Sequence, residues 1–437
     1  MVVNHLSTSL SGGAAVAARR LHHGLRQIGV DSRFWHLRRN SEVDKDPTYQ
    51  VMRWAESSGT MWQRAGWSIA EAAFKPWQKR QLHKALHGRP DGLELFSSPF
   101  RTRATTLPAQ EHQPNIVHLH WVSNLIDYPS FFQSLSPELP VVWSLHDMNP
   151  LTGGCHYSQG CERFTSACQC CPQLGQPHPD DLSNRFFQAK RQSLSGHNLH
   201  LVANSRWMEQ QARRSRIMDC ARSFRTIHYC LDTETFRPHN KYQARRQLGL
   251  PENGPLVAFG AESCQNRRKG FQELLRALSI SHRTVPFTTV TFGEPDQSLE
   301  TTNQLSNIKM LGFVHDEQRL AQVYSAADVF VVPSLEEALG QTGVEAMACG
   351  VPVVAFDVGG LRDYVIPKQT GMLAECGNVV DLARHIVWLL QHPSRRLEMG
   401  RRAQQFVQQR FNTTTQATKY RSLYEQLNHE RLDLQAA

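Results

Sequence analysis

The sequence lacks the long hydrophobic runs that a membrane-spanning helix needs. Nowhere in its 437 residues is there an uninterrupted apolar stretch long enough to cross a bilayer. The N-terminal segment MVVNHLSTSLSGG has no basic region followed by an apolar core, so we expect no signal peptide. Low-complexity tracts and repeats of solenoid period are also missing. These absences predict a globular cytoplasmic protein whose ten cysteines are thiols or metal ligands.

Acidic residues are the scarcer kind of charge. Lys and Arg number 48 and Asp and Glu 39, which gives a net charge of +9. This excess favours anionic partners such as phosphates, acidic lipid headgroups or nucleic acid. A nucleic-acid-binding module would need basic residues interleaved with exposed aromatics along one groove, and no such motif occurs. We therefore expect no nucleic-acid partner.

Several catalytic motifs are missing as well. Gly12 and Gly13 follow a predicted strand, but their spacing is not the G-x-G-x-x-G of dinucleotide-binding folds. No evident Ser-His-Asp or Cys-His set supplies a nucleophile. The D-x-D from Asp44 to Asp46 lies in a polar loop with no strand before it, so a catalytic metal is not expected there. The sequence predicts a reaction that requires no cofactor.

Segments typical of buried strands alternate with segments typical of helices along the chain. Several strand segments are apolar throughout, as in parallel strands buried on both faces. The alternation favours doubly wound parallel sheets. The predicted strands are 2–7, 115–123, 140–147, 199–205 and 224–230 in the first half, and 255–263, 287–294, 308–314, 328–334 and 351–356 in the second.

Two sets of five strands predict an α/β chain of two Rossmann-like domains facing a central cleft. The polar stretch RPHNKYQARRQLGLPENG (237–254) is the expected linker. We predict domains over 1–236 and 237–415, with a helix over 416–437 packing back on the first domain. Ligands bind at the carboxyl ends of the strands in such sheets.

Two glutamates stand around a glycine-containing turn after an apolar strand, in EEALGQTGVEAMACGVPVV (336–354). The segment QTGVEAMACG is predicted to form a short helix whose N-terminus attracts phosphate. Glu345, in its early turns, has the reach to accept two hydrogen bonds from a ribose diol. Glu337, before the helix, is placed to hold hydroxyl groups of a second sugar. The alternative is that Glu345 only complements the helix dipole and Glu337 is solvated.

Cations precede these acids in the chain. The segment NRRKG (266–270) follows a predicted strand and supplies Arg267, Arg268 and Lys269 as phosphate ligands. Acids for diols, together with a cationic turn and a helix N-terminus for a diphosphate, describe a nucleotide-sugar site.

The chain resembles the retaining glycosyltransferases of family 4, which have the GT-B fold. The resemblance is carried by PSLEEALGQTGVEAMACGVPVVAFDVGGLRDYV, by GFVHDEQRLAQVYSAADVFVVPS and by SGGAAVAARRLHHGL. HLHWVSNLID and SLHDMNPLTGGCHY are similar to exopolysaccharide and colanic-acid-type members. The resemblance implies a nucleotide-diphosphate sugar donor bound by the C-terminal domain and a saccharide or lipid-linked acceptor bound by the N-terminal domain. The implied catalytic residues are His146 and Glu337, and the implied donor-binding residues are Gly12, Gly13, Arg268, Lys269, Ala338, Leu339, Gly340, Gln341, Thr342 and Glu345.

One position departs from the family pattern. The family usually has an arginine after the glycine of the first C-domain strand, where this chain has Ala261. The second cation for the diphosphate is therefore expected to be Arg268 or Arg267. An epimerase or a phosphorylase on the same architecture is the alternative enzyme class.

Other roles stay open on the residues themselves. Gly12 and Gly13 either let the backbone approach a ligand or only form a tight turn. His146 ends a predicted strand, where it contacts the sugar or the acceptor, or is a hydrogen-bonded loop histidine. Asp147 is a site residue or a cap.

Five cysteines crowd into CHYSQGCERFTSACQCC. Cys155, Cys161, Cys168 and Cys171 have the spacing C-x5-C-x6-C-x2-C, and this density favours a structural zinc. His156 and Cys170 are spare donors. The alternatives are a group of free thiols or a redox pair. This loop, 155–171, follows His146 directly.

Four tryptophans fall between Trp54 and Trp77, beside several basic residues. Such a segment predicts either peripheral contact with an anionic membrane, on its inner face, or an ordinary packed amphipathic helix.

Overall fold

The computed structural model describes residues 1–37, 45–52, 80, 82–101, 104–107, 113–263, 265–294 and 308–436. It divides into two compact units. The first comprises Met1–Ile227 and Ala417–Ala437, and the second comprises His228–Gln416. Among the described residues, no helix is long and apolar enough to span a membrane.

The first unit is built on a parallel sheet with the strand order β3-β2-β1-β4-β5-β6-β7. Its central strands are buried along their whole length, which explains their continuous apolar sequences. The strands are β1 (Val2–Leu6), β2 (Asp31–His36), β3 (Tyr49–Val51), β4 (Ile116–Leu119), β5 (Val141–Leu145), β6 (Leu199–Ala203) and β7 (Ser223–Thr226). The helices are α1 (Gly13–Gln27), α2 (Tyr128–Gln133), α3 (Leu182–Leu194) and α4 (Arg206–Arg214).

The second unit has a parallel sheet with the order β10-β9-β8-β11-β12-β13. The strands are β8 (Leu256–Ser263), β9 (Thr288–Glu294), β10 (Ile308–Met310), β11 (Val329–Val332), β12 (Val353–Phe356) and β13 (Gly371–Ala374). The helices are α5 (Lys241–Gln247), α6 (Phe271–His282), α7 (Glu317–Ala326), α8 (Gln341–Ala348), α9 (Val379–Gln391) and α10 (Pro393–Arg410). The last helix, α11 (Thr413–Ala436), begins in this unit and belongs to the first unit from Ala417 onward.

In both sheets the order in which the strands are added reverses beside the first strand. The order of the first sheet reverses between β1 and β4, and that of the second between β8 and β11. Ligands of open parallel sheets bind at the carboxyl ends of the strands at such a reversal. The loops after β1, β4, β8 and β11 are therefore the expected positions of ligand-binding residues.

The prediction of two parallel α/β sheets is confirmed, but the number of strands was wrong. The strands β2, β3 and β13 were missed. DSRFWH (β2) mixes charged and apolar residues, and the other two are only three and four residues long. Their pairing with neighbours in the sheet, rather than their own sequence, makes them strands.

The polar stretch 237–254 is not an open linker, because it contains α5 and lies inside the second unit. Arg245 of this helix is buried and donates to Asp328 Oδ2 at 2.9 Å. The chain leaves the first unit at Ile227, ten residues before the predicted linker begins.

Candidate active site

The carboxyl ends of β8 and β11 bring together the residues that the sequence singled out in the second unit. A 3-10 helix, Arg267–Lys269, follows β8, and residues 333–340 follow β11. The Leu335 N–H donates to the Arg268 carbonyl at 2.7 Å, and Arg268 Nη1 donates to the Glu336 carbonyl at 2.9 Å. One backbone hydrogen bond and one from the Arg268 side chain thus join the two loops.

Glu337 lies at the centre of this site. Its Oε2 accepts hydrogen bonds from Lys269 Nζ at 2.7 Å, Arg268 Nη1 at 3.0 Å and Ser334 Oγ at 3.1 Å. In the part of the chain that the structure describes, no donor reaches its Oε1. The carboxylate is buried, and burial alone would raise its pKa. Lys269 and Arg268 outweigh burial and lower the pKa of Glu337 to about 2, so it is ionised at neutral pH.

The sequence left two arginines open as the second cation, and the structure separates them. Arg268 is buried and touches Glu337, whereas Arg267 is exposed in the same 3-10 helix. The two arginines differ in exposure because neighbouring side chains of a 3-10 helix point in different directions. Arg268 is therefore the residue placed beside Lys269.

Two glycines permit the close approach of these loops. Gly270 has φ +65°, and a Cβ built on it would lie 1.8 Å from the Pro333 carbonyl oxygen. Gly359 has φ +51°, and a Cβ there would lie 2.0 Å from the Glu337 carbonyl oxygen. Any larger residue would push a backbone away at either position. Both glycines are required for the position of Glu337.

The helix α8 carries the second glutamate. It begins at Gln341, and Gly340 is its N-cap with φ +83°. Glu345 is buried, and the Tyr324 hydroxyl donates to its Oε2 at 2.8 Å. The Tyr364 hydroxyl donates to the Gly340 carbonyl at 3.0 Å. Two tyrosines therefore hold the start of the helix and the glutamate inside it.

The remaining predicted donor-binding residues of this segment divide by exposure. Ala338 and Leu339 are buried, at 2% and 1% exposure of the whole residue, so their side chains are not available to a ligand. Gln341 and Thr342 are half-buried at the first turn of α8.

In the first unit, His146 follows β5 and ends a row of hydrogen-bonded histidines. His120 Nδ1 lies 3.0 Å from His146 Nε2, and His120 Nε2 lies 2.9 Å from His5 Nδ1. His120 and His146 follow β4 and β5 directly, and His5 lies one residue before the end of β1. The order of these strands in the sheet sets their spacing. Burial lowers the pKa of His146 to about 4, although Asp147 opposes that shift. His146 is therefore neutral at neutral pH, and His120 orients its ring.

Asp147 is held by three donors. Trp121 Nε1 donates to its Oδ2 at 2.9 Å, and the Asn149 N–H donates to its Oδ1 at 2.8 Å. His156 Nδ1 lies 2.7 Å from Oδ2, and the other ring nitrogen of His156 lies 2.8 Å from Ser97 Oγ. Burial would raise the pKa of Asp147, but His156 and the other donors lower it. Asp147 caps the turn after β5 and also joins that turn to the loop beyond it.

Gly12 and Gly13 stand where α1 begins. Gly12 has φ +87°, a conformation that disfavours other residues, and is the N-cap of the helix. The helix starts at Gly13, after the loop that follows β1. Both glycines therefore lie at the carboxyl end of a central strand, as the sequence predicted.

The four predicted zinc ligands all line one cavity of the first unit. Cys155, Cys168 and Cys171 are buried and Cys161 is half-buried, and each is a free thiol. His156, one of the predicted spare donors, has both ring nitrogens engaged by Asp147 and Ser97. It is not placed to serve as a ligand.

Two predictions fall outside the described residues. The tryptophan-rich segment from Trp54 to Trp77 lies there, and so does Asp44 of the D-x-D. Asp46 is described, and it accepts from Arg26 and from the Thr48 N–H.

Several site residues were missed from the sequence: Tyr324, Ser334 and Tyr364 in the second unit, and His5 and His120 in the first. His156 was predicted as a spare zinc donor and not as the partner of Asp147. Ser334 ends the predicted strand 328–334 and His120 lies within the predicted strand 115–123, and this position was the one available signal. Tyr324 lies at the end of a helix, 21 residues before the glutamate that it contacts. Nothing in the local pattern indicates that pair.

Comparison with known proteins agrees with this geometry. Residues 254–392 match the family described as "Glycosyl transferases group 1". A D-inositol 3-phosphate glycosyltransferase of Catenulispora acidiphila is 33% identical over 193 residues, which are 41% of this chain and 45% of that protein. The chain thus spans less than half the length of this curated relative.

Solved structures match over nearly the whole chain. A sucrose-phosphate synthase from Thermosynechococcus elongatus has a TM-score of 0.67 at 21% identity, and covers 97% of this chain and 98% of its own. The Anabaena protein HepE, solved in complex with UDP and glucose, has a TM-score of 0.65 at 18% identity, and covers 98% of this chain and 100% of its own. This likeness shows the fold, which is that of the GT-B proteins.

Proposed function

We propose that this chain transfers a sugar from a nucleotide-diphosphate sugar to a saccharide or lipid-linked saccharide, with retention at the anomeric carbon. The observation that carries the proposal is the Glu337 carboxylate, on which Lys269 and Arg268 converge at the carboxyl ends of β8 and β11. A buried anion that holds two cations at a ligand-binding edge is suited to a substrate with both hydroxyl groups and phosphates.

The cations and the carboxylates of the site bind different parts of the donor. Lys269 and Arg268 are the ligands for the diphosphate, since both are cations fixed before the donor arrives. Glu337 presents Oε1 to hydroxyl groups of the transferred sugar while Oε2 keeps the cations in place. Glu345, oriented by the Tyr324 hydroxyl, accepts from the ribose.

The proposed transfer needs no protein nucleophile. The bond between the anomeric carbon and the diphosphate oxygen breaks, and an acceptor hydroxyl oxygen bonds to that carbon on the same face. The acceptor proton passes to the departing phosphate oxygen. Lys269 and Arg268 stabilise the charge that grows on the diphosphate, and Glu337 stabilises positive charge on the sugar. The neutral His146 ring positions the sugar or the acceptor by hydrogen bonding.

Relatives and resemblance support the substrate class. HepE was solved with UDP and glucose, and the curated relatives are named as glycosyltransferases, so UDP-sugars are the first donors to test. The motifs HLHWVSNLID and SLHDMNPLTGGCHY support a role in exopolysaccharide synthesis. In that role the enzyme works in the cytoplasm.

The decisive experiment combines binding with product analysis. Thermal unfolding is measured with UDP-, GDP-, ADP- and TDP-sugars, because a ligand of the native state raises the unfolding temperature. The stabilising donor is then incubated with saccharide and lipid-linked acceptors, and the new linkage is assigned by NMR. Transfer with retention supports the proposal. An isomerised donor, or sugar phosphate formed from a glycan and phosphate, would identify an epimerase or a phosphorylase instead.

Peripheral membrane contact is a separate part of the proposal and rests on the sequence from Trp54 to Trp77. Sedimentation with liposomes should require acidic lipids and should fall as salt rises. Protein that stays in the supernatant at low salt would leave the enzyme without a membrane site there.

A further inference from the structure

The cavity lined by Cys155, Cys161, Cys168 and Cys171 lies apart from the residues proposed for sugar transfer. The loop that carries it runs from the end of β5 to the start of α3. The four cysteines are spread over 17 positions of irregular chain, yet all four reach one cavity. Thiols collected in this way in a loop are typical of a structural metal site.

The walls of the cavity come from three separate segments. Phe96 pairs with Cys155 in an isolated antiparallel bridge, and Ser183 from the first turn of α3 also lines the cavity. The Asp181 carboxylate accepts from the Cys171 N–H at 2.7 Å and from the Ser183 N–H at 2.9 Å. The cysteine loop is therefore fixed at both ends by hydrogen bonds to its surroundings.

A sulfur atom of the group already accepts a backbone hydrogen bond. The Gly153 N–H donates to Cys168 Sγ at 3.2 Å. Gly153 cannot carry a side chain, because a Cβ would lie 2.1 Å from the Ser183 carbonyl oxygen. Amide groups that point at sulfur stabilise the thiolate form, which is the form that binds metal.

Positive charge stands beside the thiols. The Lys190 side chain is 0% exposed, and Nζ donates to the carbonyls of Asn149 and Thr152. No described carboxylate lies within ion-pair distance of Nζ, although the charge of Asp147 acts on it. Thr152, which Lys190 contacts, lines the same cavity as the cysteines. Four thiolates around a divalent cation carry two negative charges in excess, which this cation partly offsets.

A group of buried histidines in the first unit also offers potential metal ligands. Among the described residues, the ligand atoms that lie within 4.8 Å of one another as a group are those of His5, His118 and His120. However, His118 lies against Ser144 Oγ at 2.8 Å and Tyr424 Oη at 2.7 Å, and both ring nitrogens of His120 face other histidines. A metal there would have to break these hydrogen bonds. The histidines form a hydrogen-bonded row, and the thiols have fewer partners to lose.

We propose that Cys155, Cys161, Cys168 and Cys171 bind one zinc ion as a closed tetrahedral structural site. With Zn–S bonds of about 2.3 Å, the sulfur atoms would lie about 3.8 Å apart. No three of these four sulfur atoms lie within 4.8 Å of one another in this structure, so binding would draw the loop inward. Thiolates alone suit zinc or an iron–sulfur cluster rather than magnesium or calcium.

The site has a consequence for its neighbour His156. His156 follows Cys155 directly, its carbonyl accepts from the Met148 N–H at 2.9 Å, and its ring holds Asp147. Zinc on Cys155 would therefore fix the turn that begins at His146. The zinc acts as a positioning element for that turn and takes no part in bond making.

The test measures metal directly and does not depend on sugar transfer. Full-length protein purified without an affinity tag or added metal is analysed by elemental mass spectrometry. We expect about one zinc per chain. Modification of the thiols should release zinc in proportion to the cysteines that react, and cobalt in its place should give thiolate charge-transfer bands.

Variants then locate the ion. Cys168→Ser with Cys171→Ser should abolish zinc binding, whereas Cys376→Ser, which changes an exposed thiol of the second unit, should retain it. His120→Ala should also retain it. Since the double variant could fail to fold, the wild-type protein is in parallel stripped with a chelator under native conditions. Its unfolding temperature should fall and should recover on addition of zinc.

Four results would overturn the proposal. These are wild-type protein without stoichiometric zinc, zinc retained by a folded double variant, zinc lost from His120→Ala alone, and iron with acid-labile sulfide in place of zinc. Disulfide bonds among the four cysteines, seen by mass spectrometry of freshly isolated protein, would also exclude it. Failure of the zinc site would leave the proposed sugar transfer untouched, because the two use different residues.

Discussion

The ammonium group of Lys269 lies 2.7 Å from Oε2 of Glu337, although 68 positions separate the two residues. Arg268 approaches the same oxygen at 3.0 Å. One carboxylate oxygen therefore holds two cations in place before any ligand is bound. Groups fixed in advance lose little freedom on binding, which strengthens their interaction with a diphosphate.

Replacing Lys269 with Ala should weaken the binding of the nucleoside diphosphate by roughly tenfold or more. The reason is that a charge-assisted hydrogen bond contributes about 1.5–3 kcal/mol. Arg267→Ala removes an exposed cation from the same 3-10 helix and should change affinity by no more than about twofold. Calorimetric titration of both variants measures the difference. Equal losses would mean that only the general positive charge of the loop matters.

Glu337→Gln and Glu345→Gln should fail in different ways. Glu345→Gln should lower nucleoside-diphosphate affinity about tenfold, since its ribose bonds exist with or without the sugar. Glu337→Gln keeps an amide oxygen that can accept from Lys269 and Arg268, so it should lower that affinity less than Glu345→Gln does. It should lower turnover about tenfold, because its contact tightens as charge develops on the sugar. Tyr324→Phe, which keeps the ring and removes the hydroxyl that holds Glu345, should show a weaker form of the Glu345 effect. Two variants with wild-type affinity and turnover would reduce both acids to structural residues.

Gly270→Ala should destabilise the second unit far more than Gly249→Ala. Both glycines have φ +65°, so both substitutions incur the same backbone strain, about 1–2 kcal/mol. At Gly249 nothing lies within 4 Å of the added Cβ, whereas at Gly270 it would meet the Pro333 carbonyl oxygen at 1.8 Å. Urea unfolding of the two variants isolates the cost of that contact. Equal changes in the free energy of unfolding would show that the loops separate easily.

As the pH falls, the first unit should lose stability at a higher pH than the second unit. Burial lowers the pKa of His5 to about 3 and of His146 to about 4, while both would take up protons near pH 6.5 when unfolded. The unfolded chain therefore binds more protons below about pH 6.5, and the stability of the first unit falls as the pH drops through that value.

The contribution of Glu337 to stability is lost at a lower pH than that of the histidines. Its folded pKa of about 2 lies below the unfolded value of 4.5, so its contribution is present above about pH 4.5 and is lost between that pH and about 2. The second unit also contains His282 and His385 with lowered pKa values, but both are only half-buried. Calorimetry at about pH 7.5, 5.5 and 4, with pulse proteolysis to identify the opened segments, tests the order. Opening of the second unit at the higher pH would contradict it.

The sequence predicts the framework of this fold better than its edges. Strands such as VVWSL and VFVV are buried on both faces, so their composition alone indicates them. The strand DSRFWH and the short GMLA take their structure from their neighbours in the sheet. The segment 237–254 is polar because α5 presents one face to solvent, and the burial of Arg245 against Asp328 is invisible to a count of charges.

The candidate site was predictable where function follows the end of a strand. Glu337, Lys269, His146 and Gly12 all lie at such ends. The partners that hold them were not predictable, because those hydrogen bonds join residues from distant parts of the chain. Tyr324 with Glu345 and His120 with His146 are examples, and a single sequence read by itself contains no signal for such pairs.

The last helix, α11, gives the chain an order of assembly during synthesis. From Ala417 onward this helix belongs to the first unit, where the Tyr424 hydroxyl lies 2.7 Å from His118 Nδ1 and the Tyr420 hydroxyl lies 2.9 Å from Ser144 Oγ. A ribosome therefore releases the contiguous second unit, 228–416, while the sheet of the first unit still lacks its closing helix. Domains fold as units once their residues are available. The unit that starts the chain is thus the one completed last.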